Sequence, residues 1–472
     1  MVSGDPRILR VGESSSGVLV RLGILLAEWS ERWFPDALVM AMIATVIIFL
    51  VGLSLGSRTQ DLVIAFGGGF WQLIPFTLQV AMMVVSGFVV ATSPPVARAI
   101  RWLATIPRTP RGAIALVAFF STAGALLSWG VSFIFSVLLA REIAQKVPGT
   151  DYRALGAATY LGTGLVSTLG FSSNAALFMT TRESIPPALL RISGVIPLTD
   201  TIFAWQNITT ALILVCVSVS IAYYSAPPTS EAKTAESFGV KFEARLPSPV
   251  QNRTPGEWLE QNGLLTVPIC FIGLAYLVEI FRSKGPLLAI DLNTLNFLAL
   301  MLGLLLHWRP GAFKQAVTDS VPATAGILIQ FPFYAGIFGM MTKSRITGEL
   351  ANFFVGFSTQ RSFPLLVSVY SAILGFFVPS AGSKWLIEAP YVLQAANQLH
   401  VNLGWVVQIY NTSEALPNLI NPFWMLPLLG LLRLRARDIV GYCLLQLFVN
   451  FPLVLFLMWF FARTVPYIPP RF

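Results

Sequence analysis

The chain has 472 residues, 55% hydrophobic and 11% charged, with a net charge of +9 and a mean hydropathy of +0.71. A soluble domain carries roughly a quarter of its residues as charges. Less than half of that cannot clothe a water-facing surface, so a soluble enzyme is excluded, and the basic residues cap uncharged runs, where they set membrane topology instead of binding nucleic acid.

In chain order, residues 1–36 form an N-terminal segment with Arg7, Arg10, Arg21 and Arg32, and 17–29 reads as an amphipathic stretch lying in the membrane interface. Uncharged runs follow at 37–57, 66–97, 112–140 and 202–230, then at 351–360 with 362–383, and at 439–462. They are long enough to cross a hydrocarbon core and too long for barrel strands, which predicts an all-α polytopic membrane protein. Arg98, Arg101, Arg108 and Arg111 share one short loop without an acid. That loop is expected in the cytoplasm together with the N-terminus, with loop 56–65 external. In the second half, 307–314 and 343–361 are both basic, and one of them must lie outside. Between the halves, 225–261 holds Pro227, Pro228, Pro247, Pro249 and Pro255 among mixed charges, and reads as a polar linker with little fixed structure.

The stretches 37–224 and 262–472 resemble each other. Val117-Ala-Phe-Phe-Ser-Thr-Ala-Gly124 aligns with Val367-Ser-Val-Tyr-Ser-Ala-Ile-Leu374, Leu78-Gln79 with Ile329-Gln330, and Tyr160 with Tyr410, at offsets of 250 or 251. The expectation is two inverted repeats with broken helices or re-entrant hairpins at mid-membrane, and a site where they meet. The interruptions are paired: 128–132 with 377–385, and 161–174 with 411–422. A broken helix frees N–H groups at one end and C=O groups at the other, suited to an anion and a cation respectively. Candidate substrate ligands are Ser128, Ser132, Ser172, Ser173, Asn174, Gln330, Ser380, Ser383, Lys384, Asn411 and Asn421. Candidates for a coupling ion are Asn174, Ser167, Thr412 and Glu414. The competing reading makes the small and hydroxyl residues helix-packing surfaces. Lys384 either meets a substrate carboxylate or pairs with Glu388 one turn on. Glu414 is a proton or cation site, or lies near the interface. Gln330-Phe-Pro-Phe-Tyr-Ala-Gly336 either orients a ligand or marks a proline kink packed by aromatics. Cys216, Cys270 and Cys443 stand apart, no metal-ligand spacing or phosphate loop occurs, and no nucleophile–histidine pairing points to an enzyme.

Further motifs are Arg32-Trp-Phe-Pro-Asp36, Phe66-Gly-Gly-Gly-Phe-Trp71, Ala140-Arg-Glu142 with Val147-Pro-Gly-Thr-Asp-Tyr152, the stretch 323–337, Asn421-Pro-Phe-Trp424 and Arg437-Asp-Ile-Val-Gly-Tyr-Cys443. On these the sequence resembles the bacterial short-chain fatty acid transporters over nearly its whole length. The resemblance implies a secondary active transporter of short-chain fatty acids or similar monocarboxylates, such as acetoacetate or butyrate, in the bacterial cytoplasmic (inner) membrane. It implies H⁺ or Na⁺ coupling and no cofactor. The expected partners are a small monocarboxylate and the lipid bilayer, without nucleic acid, and a homodimer is left open. The wider ion-transporter group to which that family is similar implies two hairpins meeting at the site and a transport domain moving against a scaffold. The chain departs from the family pattern at Ala381-Gly-Ser-Lys-Trp385 and Leu169-Gly-Phe-Ser-Ser-Asn174. A carrier of another small organic anion, a channel and a membrane-embedded enzyme stay as alternatives.

Overall fold

In the computed structural model the described residues are 18–33, 35, 37–72, 74–127, 129–180, 182, 185, 187–240, 242, 254–285, 289, 292–346, 349, 356–377 and 381–470. Their regular elements are helices. Three of the uncharged runs become the helices Ala37–Ser54, Trp205–Ser225 and Ala436–Phe461. Two others break. The run 66–97 divides among Thr59–Gln72, Ile74–Thr92 and the start of Pro94–Leu103, and 112–140 becomes a hairpin of Pro110–Ala125 and Trp129–Lys146. Tyr152–Met179, Trp205–Ser225, Thr266–Lys284 and Ala436–Phe461 are long and apolar enough to cross a membrane, and the number rises from 4 to 7 if each sharply bent pair is one span. The bends are 79° after Thr92, 53° between Ser320 and Ala325, and 51° between Leu419 and Pro422. Pro332 lies inside the uninterrupted helix Ala325–Lys343, so the bend there falls at 321–324 and not at the proline.

The helix order repeats. Thr59, Ile74, Pro110, Trp129 and Tyr152 each begin a helix, and helices begin again 251 to 253 residues later at Pro310, Ala325, Phe363, Ala381 and Leu403. The packing is reciprocal. Thr59–Gln72 lies on Ala325–Lys343 as Pro310–Ser320 lies on Ile74–Thr92, which is what a two-fold relation between the halves produces. Three hydrogen bonds give the direction. Tyr152 Oη donates to Leu432 O, Tyr160 Oη to Asn418 O and Thr168 Oγ1 to Asn411 O. The partner number falls as the first rises, so the two broken segments run antiparallel and their equivalent starts, Tyr152 and Leu403, lie at opposite ends. The repeats are inverted.

The helices sort into two groups. Ala37–Ser54, Thr59–Gln72 and Ile74–Thr92 pack with Leu292–His307, Pro310–Ser320 and Ala325–Lys343 as an outer group. The hairpins and broken helices pack with Trp205–Ser225 and Ala436–Phe461 as the other, and Pro422–Leu432 and Trp129–Lys146 touch both. In the outer group the glycine run has a physical reason. A Cβ on Gly69 would stand 2.7 Å from Ala335 O and 2.8 Å from the Gly339 Cα. Bare backbone is what lets these two helices touch. The N-terminal helix Val18–Trp33 docks on Ala436–Phe461, with Ala27 against Gly441 and Gly23 against Tyr442.

Residues 226–240 correct the expectation of a loose linker. Asp151 caps Tyr152–Leu165 by accepting from Arg153 N at 2.9 Å and Ala154 N at 3.0 Å, and its second oxygen accepts from Lys233 N at 3.0 Å. Tyr152 N donates to Lys233 O at 2.8 Å, and Arg153 Nη2 pairs with Asp151 at 2.7 Å. A buried aspartate needs its lone pairs filled, and the linker backbone fills one. Residues 241 and 243–253 lie outside the described residues, and Pro255–Gln261 is a helix closed by a Thr254/Glu257 capping box.

The basic loops also sort by end. Lys146 Nζ donates to Arg101 O and a His307 ring nitrogen lies 2.8 Å from Val89 O, which puts 98–111, 146–153 and 307–310 at one end. Gln360 Nε2 donates to His400 O and Asn402 Nδ2 to Pro466 O, which puts 360–361, 400–402 and 463–467 at the other.

Candidate functional site

The two broken segments cross at Ser173 and Asn411. Ser173 caps the short helix Asn174–Met179 by accepting from Ala176 N, and also accepts from Asn411 Nδ2 at 2.7 Å. The same amide donates to Gln408 Oε1 at 2.9 Å, while Asn411 O accepts from Thr168 at 2.9 Å. Ser172 Oγ accepts from Trp129 N at 3.0 Å, tying the crossing to the first hairpin. Asn174 is exposed beside it, and a Cβ on Gly382 would stand 3.7 Å from the Asn174 Cβ. Ser172, Ser173, Asn174 and Asn411 therefore gather with the start of the second hairpin helix, Ala381–Gln398.

Lys384, Glu388 and Glu414 form a second cluster behind that helix. Lys384 Nζ lies 3.2 Å from Glu388 Oε1, donates to Ser371 O at 2.8 Å and sits 4.5 Å above the Tyr410 ring. Ser371 Oγ completes the knot by donating to Glu388 Oε2 at 2.8 Å. Lys384 and Glu388 are both 0% exposed, so of the two readings of this lysine the ion pair is the one the geometry forms.

A third place lies on the seam between the two helix groups. Asn421 caps Pro422–Leu432, accepting from Phe423 N at 3.1 Å and donating to Phe376 O at 2.8 Å. It borders a cavity of about 100 Å³ whose walls include Ile43, Ile47, Tyr334, Ile337 and Phe377. Phe331 stacks on Phe423 at 3.7 Å alongside, so aromatic packing around Pro332 is present without a kink.

The remaining candidates are local. Ser132 donates to Ser121 O at 2.8 Å inside the first hairpin, Ser167 to Thr163 O at 3.1 Å, and Thr412 to Gln408 O at 2.7 Å. Gln330 is half-buried one turn before Tyr334, and its Oε1 has no hydrogen-bond partner among the described residues. Ser128, Ser380 and the Ser383 side chain lie outside the described residues.

The family profile described as short chain fatty acid transporter matches residues 18–461. The chain belongs to that family. It is thus a multi-pass membrane transporter and not an enzyme. A protein of Escherichia coli (strain K12) named "Putative short-chain fatty acid transporter" is 35% identical over 432 residues, covering 90% of this chain and 96% of its own. A Haemophilus influenzae (strain ATCC 51907 / DSM 11121 / KW20 / Rd) protein of the same name is 33% identical over 453 residues, covering 94% and 100%. Among solved structures, the Alcanivorax borkumensis YdaH transporter shares 16% identity at a TM-score of 0.41, over 92% of this chain and 100% of its own. Neisseria gonorrhoeae MtrF shares 11% at 0.36, over 92% and 97%.

For this short-chain fatty acid transporter, sequence reasoning missed Tyr334, Ser371 and Tyr410 as neighbours of the clusters. Tyr334 stood in the quoted Gln330–Gly336 motif, and Tyr410 in the repeat match with Tyr160. Ser371, aligned with Ser121 in that same match, was legible as a pair and unread as a ligand.

Proposed function

We propose that this protein carries short-chain monocarboxylates such as acetoacetate or butyrate across the bacterial cytoplasmic membrane by secondary active transport, driven by an H⁺ or Na⁺ gradient. The observation that carries the reading is the Ser173–Asn411 contact, where two inverted, broken segments meet. Neutral hydroxyl and amide groups there suit a carboxylate at lower desolvation cost than a buried lysine would bring. The apolar seam cavity beside Asn421 suits a short acyl chain, and its position between two helix groups suits movement of one group against the other. In this reading the end bearing Arg98–Arg111 faces the cytoplasm, as does the N-terminus. The test is uptake of a panel of labelled acids into proteoliposomes, with ΔpH and Na⁺ gradients imposed separately. Saturable accumulation of C2–C4 monocarboxylates under one gradient is expected. Flux that neither saturates nor follows a gradient would indicate a channel, and preference for a dicarboxylate or an amino acid would indicate another anion.

A further inference from the structure

We infer that the Glu414–Lys384–Glu388 cluster is the seat of a single coupling proton, taken up at Glu414, so that H⁺ and not Na⁺ drives the transport proposed above. The inference rests on that reading of a gradient-driven carrier. Lys384 and Glu388 neutralise each other at 3.2 Å, and the lysine's other contacts are Ser371 O and the Tyr410 ring. Glu414 lies one turn beyond Tyr410 on Leu403–Ala415, on the same face, and is 1% exposed. Its Oε2 has no hydrogen-bond partner among the described residues. Two buried carboxylates and one buried ammonium therefore lie within electrostatic reach of one another, which leaves one negative charge without a counter-charge. A buried carboxylate in that position is neutralised or it is not kept. Glu414 also stands at the C-terminal end of its helix, where free carbonyls oppose a negative side chain.

Among the described residues the neighbouring elements bring no second counter-charge to this cluster: Arg153 is paired with Asp151 and Arg437 stands at the first turn of its helix. Phe363–Phe377 brings Tyr370 and Ser371, Ala381–Gln398 brings Lys384 and Glu388, and Leu403–Ala415 itself brings Tyr410. Tyr152–Leu165 brings Tyr160, whose hydroxyl is held by Asn418 O, and Ala436–Phe461 brings the buried thiol of Cys443. The helices 167–169 and 174–179 carry no titratable residue.

The first repeat shows that the fold does not need these charges. By the helix offsets of 252 and 251, the counterparts of Lys384, Glu388 and Glu414 are the uncharged Ser132, Ser136 and Thr163, and Ser132 donates to Ser121 O as Lys384 does to Ser371 O. Ser121 spends its hydroxyl on backbone, donating to Thr159 O at 2.8 Å and accepting from Gly162 N at 3.0 Å. Charge has been installed in one repeat of two, giving one site per molecule. A proton fits it better than Na⁺. The Lys384 ammonium repels a second cation, and a proton needs neither space nor a shell of oxygens. The step balances simply: the Glu414 carboxylate takes a proton from hydronium on one side of the membrane, leaving water, the cluster becomes neutral, and the O–H bond breaks again to give hydronium on the other side.

The experiment uses full-length protein, with infrared spectroscopy in detergent and butyrate flux in proteoliposomes. Wild type should show a protonated-carboxyl band near neutral pH that Glu414→Gln removes. Glu414→Gln should also lose ΔpH-driven accumulation, and any counterflow it retains should no longer vary with pH. If the glutamine variant fails to fold, the pH titration of the band in wild type and its displacement in Glu414→Asp decide the matter. Absence of the band in wild type, its persistence in Glu414→Gln, or accumulation that follows Na⁺ and not ΔpH would overturn the inference. If wild type moves no monocarboxylate under either gradient, the transport reading fails by itself, and the band still reports whether Glu414 holds a proton.

Discussion

Ser173 accepts two hydrogen bonds, one from the backbone it caps and one from Asn411 across the crossing. Ser173→Ala removes the acceptor of a buried amide, and an unsatisfied buried donor costs about 1–3 kcal/mol. The expected outcome is a lower melting temperature together with weaker butyrate uptake; unchanged uptake would remove Ser173 from the site. Lys384 behaves differently. Lys384→Met strands the Glu388 carboxylate, and breaking a buried pair costs about 3–5 kcal/mol, so yield and melting temperature of the purified protein should fall together. Lys384→Met with Glu388→Gln removes both charges and should recover most of that loss. If the double variant folds yet binds butyrate poorly, the lysine reaches substrate in another state of the cycle.

The breaks within 161–174 and 411–422 were legible because glycine, serine and asparagine interrupt otherwise apolar runs, while the bends after Thr92 and at 321–324 were not read. Which side chains face one another was not legible, because that depends on the rotation of each helix. Lys384 and Glu388 could be placed on one face from their spacing of four, but Ser371 and Tyr410 come from other helices and reach the lysine through packing alone. The order of the segment 226–240 was missed for a related reason. Proline and charge describe its composition, while Asp151, 82 residues upstream of Lys233, decides its structure. Asp151→Ala should therefore release 226–240 and open it to protease in membrane vesicles, with wild type resisting at the same sites. Gly69 makes a separate element-scale prediction. Gly69→Leu would force Thr59–Gln72 off Ala335 and Gly339, and the expected result is a sharply lower melting temperature with loss of transport. Wild-type stability in that variant would mean that the two helices need not touch.

At the scale of the molecule, the inverted repeat places equivalent loops at opposite ends, and this tests by labelling. In a background without Cys216, Cys270 and Cys443, a cysteine placed in 104–109 should react with an impermeant maleimide only from the cytoplasmic side, and one at Gln360 only from outside. The reverse pattern would invert the topology. The central claim is that the two breaks form one substrate site. The most direct measurement is a structure of the protein in lipid nanodiscs with bound butyrate. The account predicts the carboxylate among Ser172, Ser173, Asn174 and Asn411, or at Asn421 on the seam. Butyrate bound at the membrane surface, away from both breaks, would contradict it.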